Sequence, residues 1–153
     1  MASTTTDIWR KLEMFVCTRM VRFGECDPAG VVYYPVFFDW FHQSMEEWFE
    51  KGLGHKYSDV IKEYGFPAVH TEATYHKAIP MGMQVYIQVG VTTLSRSSLG
   101  LSFQIVDEDG VCFAQGNVRT VCIAVKKGQF QFSSTEIPLF LREKMQGDVV
   151  VTE

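Results

Sequence analysis

The chain has 153 residues, enough for one domain with its own core. Apolar residues make up 46% of it, with 12 Phe, so the composition is globular and excludes a disordered chain. The formal charge of −4 argues against a general nucleic-acid partner, and no apolar run approaches the roughly 18 residues that span a bilayer.

The opening residues, Met1-Ala2-Ser3-Thr4-Thr5-Thr6-Asp7, lack both a basic and an apolar signal region, so no secretory leader is expected. Residues 1–12 and 147–153 are expected to be tails around one domain at 13–146. Without export, a cytoplasmic location follows, with Cys17, Cys26, Cys112 and Cys122 as reduced thiols. They form no CxxC pair, so neither a zinc site nor a redox motif is signalled. Three of them lie in apolar strand-like runs and read as core.

In chain order, Phe15 to Phe23 reads as a first strand, rich in Val, Phe and Thr. A turn follows, punctuated by Pro28 and Gly30, and Pro35 suits a first helical position. From Val36 to Lys51, Phe37, Phe38, Trp40, Phe41, Met45, Trp48 and Phe49 recur at helical spacing, with acids largely on the other face and Gly52 as a stop. Tyr57 to Tyr64 is a shorter helical stretch. Strands are expected at Ala68 to Ala78, Gln84 to Ser95, Leu99 to Asp107 and Val111 to Val125. Asp109-Gly110 makes a hairpin turn, and Ser134-Thr135-Glu136 resembles the cap of a closing helix that ends near Met145. A strand, a long helix and four more strands give an α+β domain.

The turn carries the chemistry. Asp27 stands just before a helix start, whose open N–H groups can polarise a carbonyl held beside the acid. An Asp before Pro also commonly bonds its own backbone as a turn residue. Glu25, two residues earlier, shares a face with Asp27 in an extended segment and reads either as a site-tuning group or as a solvated charge. His70 and His76 alternate with Glu72 and Thr74, but no geometry-defining metal motif accompanies them, so no metal is expected.

The stretch Glu25-Cys26-Asp27-Pro28-Ala29-Gly30-Val31-Val32-Tyr33-Tyr34 closely resembles the active-site signature of hotdog-fold acyl-CoA thioesterases, especially the 4-hydroxybenzoyl-CoA thioesterase type. The resemblance extends more weakly from about Phe15 to about Val125. It implies a hotdog fold, a curved antiparallel sheet wrapped around the long helix. It implies Asp27 as the catalytic carboxylate, either nucleophile or general base. It further implies the backbone N–H of Tyr34 as the group polarising the thioester carbonyl, with Gly30 keeping the turn close and offering another N–H. Coenzyme A is then part of the substrate, and no cofactor is needed.

Tyr33, His42 and Tyr57 fall at positions implied to face the substrate. His42 stands where the hydroxybenzoyl enzyme has an Asp, and Tyr57 where it has a Trp; the loop at Gly82-Met83 lacks the acid many relatives carry. Arg96-Ser97-Ser98, at a turn between strands, resembles the family's CoA contact, where Arg suits phosphate; Lys126-Lys127 adds charge nearby. A single concave sheet leaves an edge uncovered, so a homo-oligomer is expected, a dimer or the family's tetramer, with sites between subunits. The expected function is hydrolysis of an aromatic or short-to-medium acyl-CoA. The alternatives are a hotdog-fold hydratase or dehydratase, a non-catalytic acyl-CoA-binding protein, and a hydrolase with Cys26 as nucleophile.

Overall fold

A computed structural model describes residues 14–147; the expected tails lie outside the described residues, apart from Gly147. Five strands form one antiparallel sheet: β1 (Phe15–Met20), β3 (Ala68–Tyr75), β4 (Gln84–Leu94), β5 (Ser98–Val106) and β6 (Cys112–Val121). Their order is β1-β4-β5-β6-β3, so among the described residues β3 ends the sheet, beside β6. A smaller sheet, ordered β2-β7-β8, joins β2 (Tyr64–Gly65), β7 (Ile123–Lys126) and β8 (Gln129–Ser134). The helices are α1 (Val36–Glu47), α2 (Tyr57–Val60) and α3 (Leu139–Gln146).

The central strands bury alternate residues, as a half-covered sheet requires. Ile87 and Val89 of β4 and Leu101, Phe103 and Ile105 of β5 are all in the core. Against them lies α1, whose Phe37, Trp40, Phe41, Ser44 and Met45 form one buried stripe at helical spacing. Phe41 stacks on Phe103, with ring centroids 4.8 Å apart and planes 17° from parallel. Gly116 of β6, in register with Phe103, leaves room for that ring; a Cβ there would also stand 2.8 Å from the Glu72 carbonyl oxygen.

Several boundaries differ from expectation. The first strand ends at Met20 instead of Phe23, because Glu25 accepts the Arg22 N–H at 2.8 Å and folds Phe23–Glu25 into a 3-10 turn. The long helix stops at Glu47 and leaves through a π turn, Trp48–Gly52, closed by the Leu53 N–H on the Trp48 carbonyl at 2.9 Å. Trp48 lies where a Gly52 side chain would stand, 2.6 Å from a Cβ built there. The strand expected over Val111 to Val125 is two strands in different sheets, divided at Cys122, whose N–H donates to the Ser97 carbonyl at 2.7 Å. Strands β2 and β8 were not foreseen, and β3 ends at Tyr75, leaving His76 beyond it. Ser134 belongs to β8, opposite Ile123, so the closing helix is capped by Pro138 and not by Ser134-Thr135-Glu136. Cys17 and Cys122 are core residues as expected, but Cys112 is only half-buried.

The Gly116 cradle gives a direct test of the helix-in-sheet packing. Gly116→Ala must displace either a fully buried ring or a strand carbonyl, an overpacking cost of about 1–3 kcal/mol. Thermal denaturation should show Tm falling by about 3–10 °C.

Candidate active site

The turn between β1 and α1 is closed by its own backbone. Asp27 N–H donates to the Val31 carbonyl at 3.0 Å, and Gly30 N–H donates to the Asp27 carbonyl at 2.9 Å. Gly30 sits at φ +78°, a conformation natural to glycine. Its N–H is therefore spent on closing the turn, and the expectation that it offers a second donor to substrate is corrected. The Asp27 carboxylate accepts the Ala29 N–H at 2.9 Å through Oδ1. This is the self-bonded turn that Asp before Pro favours, and it fixes one carboxylate oxygen while Oδ2 has no hydrogen-bond partner among the described residues.

The turn is strapped to its surroundings on two sides. Val32 N–H donates to the Ile79 carbonyl and Met81 N–H to the Gly30 carbonyl, tying it to the chain between β3 and β4. Tyr33 N–H donates to the Glu25 carbonyl at 2.9 Å. Tyr34 N–H has no acceptor among the described residues; its carbonyl accepts the Phe37 N–H and lies 3.4 Å from the Tyr75 hydroxyl. Both tyrosine rings are exposed and meet edge to face at 5.2 Å.

Glu25 is not a solvated charge. Its carboxylate accepts Arg19 Nη2 at 2.7 Å and Trp40 Nε1 at 2.5 Å, besides the Arg22 N–H. The Arg19 guanidinium stacks over the Trp40 ring, 4.7 Å from its centroid, and donates through Nη1 to Gln43. Glu25 thus ties β1, the turn and α1 together. Sequence reasoning placed Glu25 beside the site but missed Arg19 and Trp40, since nothing in the spacing pairs residues so far apart.

His42 and Tyr57 lie together, one turn of α1 beyond Phe38. Their rings meet edge to face at 5.8 Å, and His42 Nε2 is 3.2 Å from Glu46. Burial, and then the nearby Glu46 charge, push the Tyr57 hydroxyl pKa up. Both residues line an apolar cavity of about 410 Å³ between α1, α2 and the two sheets, with Phe38, Phe66, Phe130 and Phe132 among its walls. Asp27, Gly30, Tyr33 and Tyr34 are not among the residues lining it. The β8 aromatics were also missed; Phe130 and Phe132, alternating after the Lys127-Gly128 turn, were the available signal.

Arg96, Ser97 and Ser98 form the turn from β4 to β5. Arg142 of α3, unforeseen in sequence, clamps it by donating to the Ser95 carbonyl at 2.6 Å and the Arg96 carbonyl at 2.9 Å. The Arg96 side chain is exposed, while Ser98 N–H donates to Ser95 Oγ. Within one chain this turn is far from Asp27. The Asp27 turn borders the start of β4, Arg96 follows its end, and the strand between has 11 residues, roughly 35 Å at the usual rise. His70 lies 3.4 Å from Glu72, and no group of three metal-binding side chains stands together among the described residues. No helix among them is long and apolar enough to cross a membrane.

Comparison with known proteins gives this geometry its family. The profile described as the thioesterase-like superfamily matches residues 21–145. A 1,4-dihydroxy-2-naphthoyl-CoA hydrolase of Prochlorococcus marinus (strain NATL2A) is 30% identical over 140 residues, covering 86% of this chain and 89% of that protein. The solved structure of a gentisyl-coenzyme A thioesterase superposes with a TM-score of 0.75 at 25% identity, over 86% of this chain and 99% of the other. A 1,4-dihydroxy-2-naphthoyl-CoA thioesterase from Synechocystis shares the fold, with a TM-score of 0.76 at 20% identity, over 87% and 96% of the two chains. The chain belongs to the thioesterase-like superfamily, as a thioester hydrolase of the hotdog fold.

Proposed function

We propose that this enzyme hydrolyses an aromatic or short-to-medium acyl-CoA thioester with Asp27 as its catalytic carboxylate, acting in the cytoplasm and needing no cofactor beyond the CoA of the substrate. The observation that carries this reading is the half-engaged carboxylate. Oδ1 is pinned by the Ala29 N–H, whereas Oδ2, and the Tyr34 N–H at the approach to α1, have no hydrogen-bond partner among the described residues. An N–H aimed at the carbonyl oxygen stabilises the negative charge that develops there. Asp27 then either attacks the carbonyl carbon, expelling CoA thiolate and leaving a mixed anhydride for water to open, or takes a proton from the attacking water. Thiolate leaves readily, so neither route requires an acid at sulfur.

The site is proposed to form between two copies of the chain. β3 ends the sheet, and its residues are exposed along nearly its whole length. Its Tyr75 end touches the Asp27 turn through Tyr34, whereas Ala68 and Thr71, toward its other end, line the cavity. Two β3 strands paired antiparallel about a two-fold axis would set each Asp27 turn against the cavity of the other chain. The same axis carries the Arg96 turn of one chain to the end of the sheet that holds the other's Asp27. That gives Arg96, with Ser97 and Ser98, a role toward the CoA phosphates that one chain alone cannot supply. Tyr33, His42 and Tyr57 then face the acyl group. The 4-hydroxybenzoyl-CoA type of enzyme fits this layout, with His42 in place of the family's Asp, Tyr57 in place of its Trp and no acid at Met83 as the points of difference.

Asp27→Asn keeps the turn's shape but removes the reactive charge. We expect kcat to fall by about 10²-fold or more, with an unchanged circular dichroism spectrum and near-normal binding of CoA esters. Arg96→Ala should raise KM for full-length CoA thioesters about tenfold or more while leaving truncated pantetheine thioesters unaffected, since only the former carry phosphates. Equal changes for both would remove Arg96 from phosphate recognition. Co-refolding the two variants tests the shared site. Hybrid dimers each regain one intact site, so an equal mixture assayed with a full-length CoA thioester well below KM should recover about a quarter of wild-type activity. A light-scattering mass of one chain at full activity would refute the arrangement.

A further inference from the structure

The two acids of the turn are engaged in opposite ways. Asp27 has one oxygen bonded, to the Ala29 N–H, whereas both oxygens of Glu25 are occupied by donors of the protein itself. Oε1 accepts the Arg22 N–H at 2.8 Å, and Oε2 accepts Arg19 Nη2 at 2.7 Å and Trp40 Nε1 at 2.5 Å. The Glu25 side chain is only 17% exposed, and Trp40 is fully buried. Placed this way, Glu25 holds structure and does not reach for substrate. We infer that Glu25, gripped by Arg19 and Trp40, is a positioning residue that aims the Tyr34 N–H at the thioester carbonyl, a role that rests on the thioesterase reading above.

The backbone carries the effect from one residue to the other. Cys26 and Val32 form an isolated antiparallel bridge, flanked by two bonds. Asp27 N–H donates to the Val31 carbonyl on one side, and Tyr33 N–H donates to the Glu25 carbonyl at 2.9 Å on the other. The Tyr33 carbonyl in turn accepts the N–H of Val36, the first residue of α1, at 2.9 Å. The Tyr34 N–H shares a planar trans peptide unit with that carbonyl and points the opposite way. Its direction is therefore set by the two bonds of Tyr33, one to Glu25 and one into α1. Arg19 fastens the Glu25 carboxylate to β1 and Trp40 fastens it to α1, so both anchors lie in one frame. Arg19 closes that frame by stacking 4.7 Å over Trp40 and donating to Gln43, which donates to Asp39 on the same helix. A donor stabilises developing charge only where it is aimed beforehand, and a misplacement of about 1 Å can cost about 10²-fold in rate.

The test reads the aim of the donor directly, because a hydrogen bond to a thioester oxygen lowers the carbonyl stretch. In Raman difference spectra, benzoyl-CoA bound to full-length Asp27→Asn should show that band lowered from its free value. Adding Glu25→Gln, which removes the charge facing Arg19, should return most of the shift, and adding Trp40→Phe, which leaves a ring with no donor, should return part of it. In turnover, Glu25→Gln alone should lower kcat about 10–100-fold with KM within about threefold, the split expected when an interaction made in the transition state is lost. Arg19→Lys, which keeps a cation beside Glu25, should retain most of the kcat that Arg19→Gln loses. Circular dichroism melts establish that the compared chains are folded; if Glu25→Gln does not fold, Trp40→Phe decides by the same band. A lowered band that persists unchanged in the variants, or a rise in KM with kcat intact, would overturn the inference. No lowered band in Asp27→Asn itself overturns the donor role of Tyr34 and the positioning role together. Absence of CoA release from every ester overturns the hydrolase reading, while the band of bound benzoyl-CoA still decides whether Glu25 aims the donor.

Discussion

The carboxylate of Glu25 is the point at which strand, turn and helix are fastened, and the geometry around Asp27 depends on it. Three donors converge on its two oxygens, from the Arg22 backbone, the Arg19 guanidinium and the Trp40 indole, while its own carbonyl holds the Tyr33 N–H. Arg19 is already incompletely satisfied, since its Nε is buried without a hydrogen-bond partner among the described residues. The charge of Glu25 is what makes that placement tolerable, because a partly buried guanidinium left without its carboxylate is costly. The Asp27 backbone closes the turn, whereas its side chain contributes one bond, to the Ala29 N–H. The two acids thus divide: Glu25 fixes the scaffold, and Asp27 leaves one carboxylate oxygen without a hydrogen bond among the described residues.

Strand direction governs everything else about the site. In an antiparallel sheet each turn lies at one end or the other, and the order β1-β4-β5-β6-β3 sends the Asp27 turn and the Arg96 turn to opposite ends. The cavity follows the second of these ends through Ala68 and the residues just before it. A single chain thus carries the Asp27 carboxylate, an apolar cavity and the Arg96 turn in places that it cannot bring together. The β3 edge, exposed among the described residues, is the surface on which the proposed pairing of two copies relies.

Much of this was legible in the sequence where one periodicity ruled. The stripe from Phe37 to Phe49 announced the buried helix, and the alternation in β4 and β5 announced the central strands. The Asp27 turn was legible because Pro28 and Gly30 restrict the backbone in a recognisable way. What failed were places where a neighbour in space overrode the local pattern. The run from Val111 to Val125 reads as one strand, yet the bond from Cys122 to Ser97 divides it between two sheets. Ser134 has a cap's chemistry but is claimed by pairing with Ile123. Arg142 gave no signal at all, since its part is to grip carbonyls of a turn more than 40 residues away. Gly30 was read correctly as a conformational requirement and wrongly as a donor, because closing the turn uses the N–H that substrate would need.

The cysteines have a bearing on how this enzyme is to be handled at the bench. Burial pushes the Cys17 thiol pKa up to about 12, with the Glu47 charge adding to it, and that of Cys122 up to about 11. Burial raises that of Cys112 as well. These thiols are poor nucleophiles at neutral pH. Cys26 is different in position, partly open to solvent and one residue from Asp27, with its Sγ against the Arg22 carbonyl. An electrophilic label that reaches Cys26 therefore plants its bulk on the turn, one residue from Asp27. The same adjacency makes Cys26 a natural attachment point for a fluorophore or spin probe that senses a ligand arriving at Asp27.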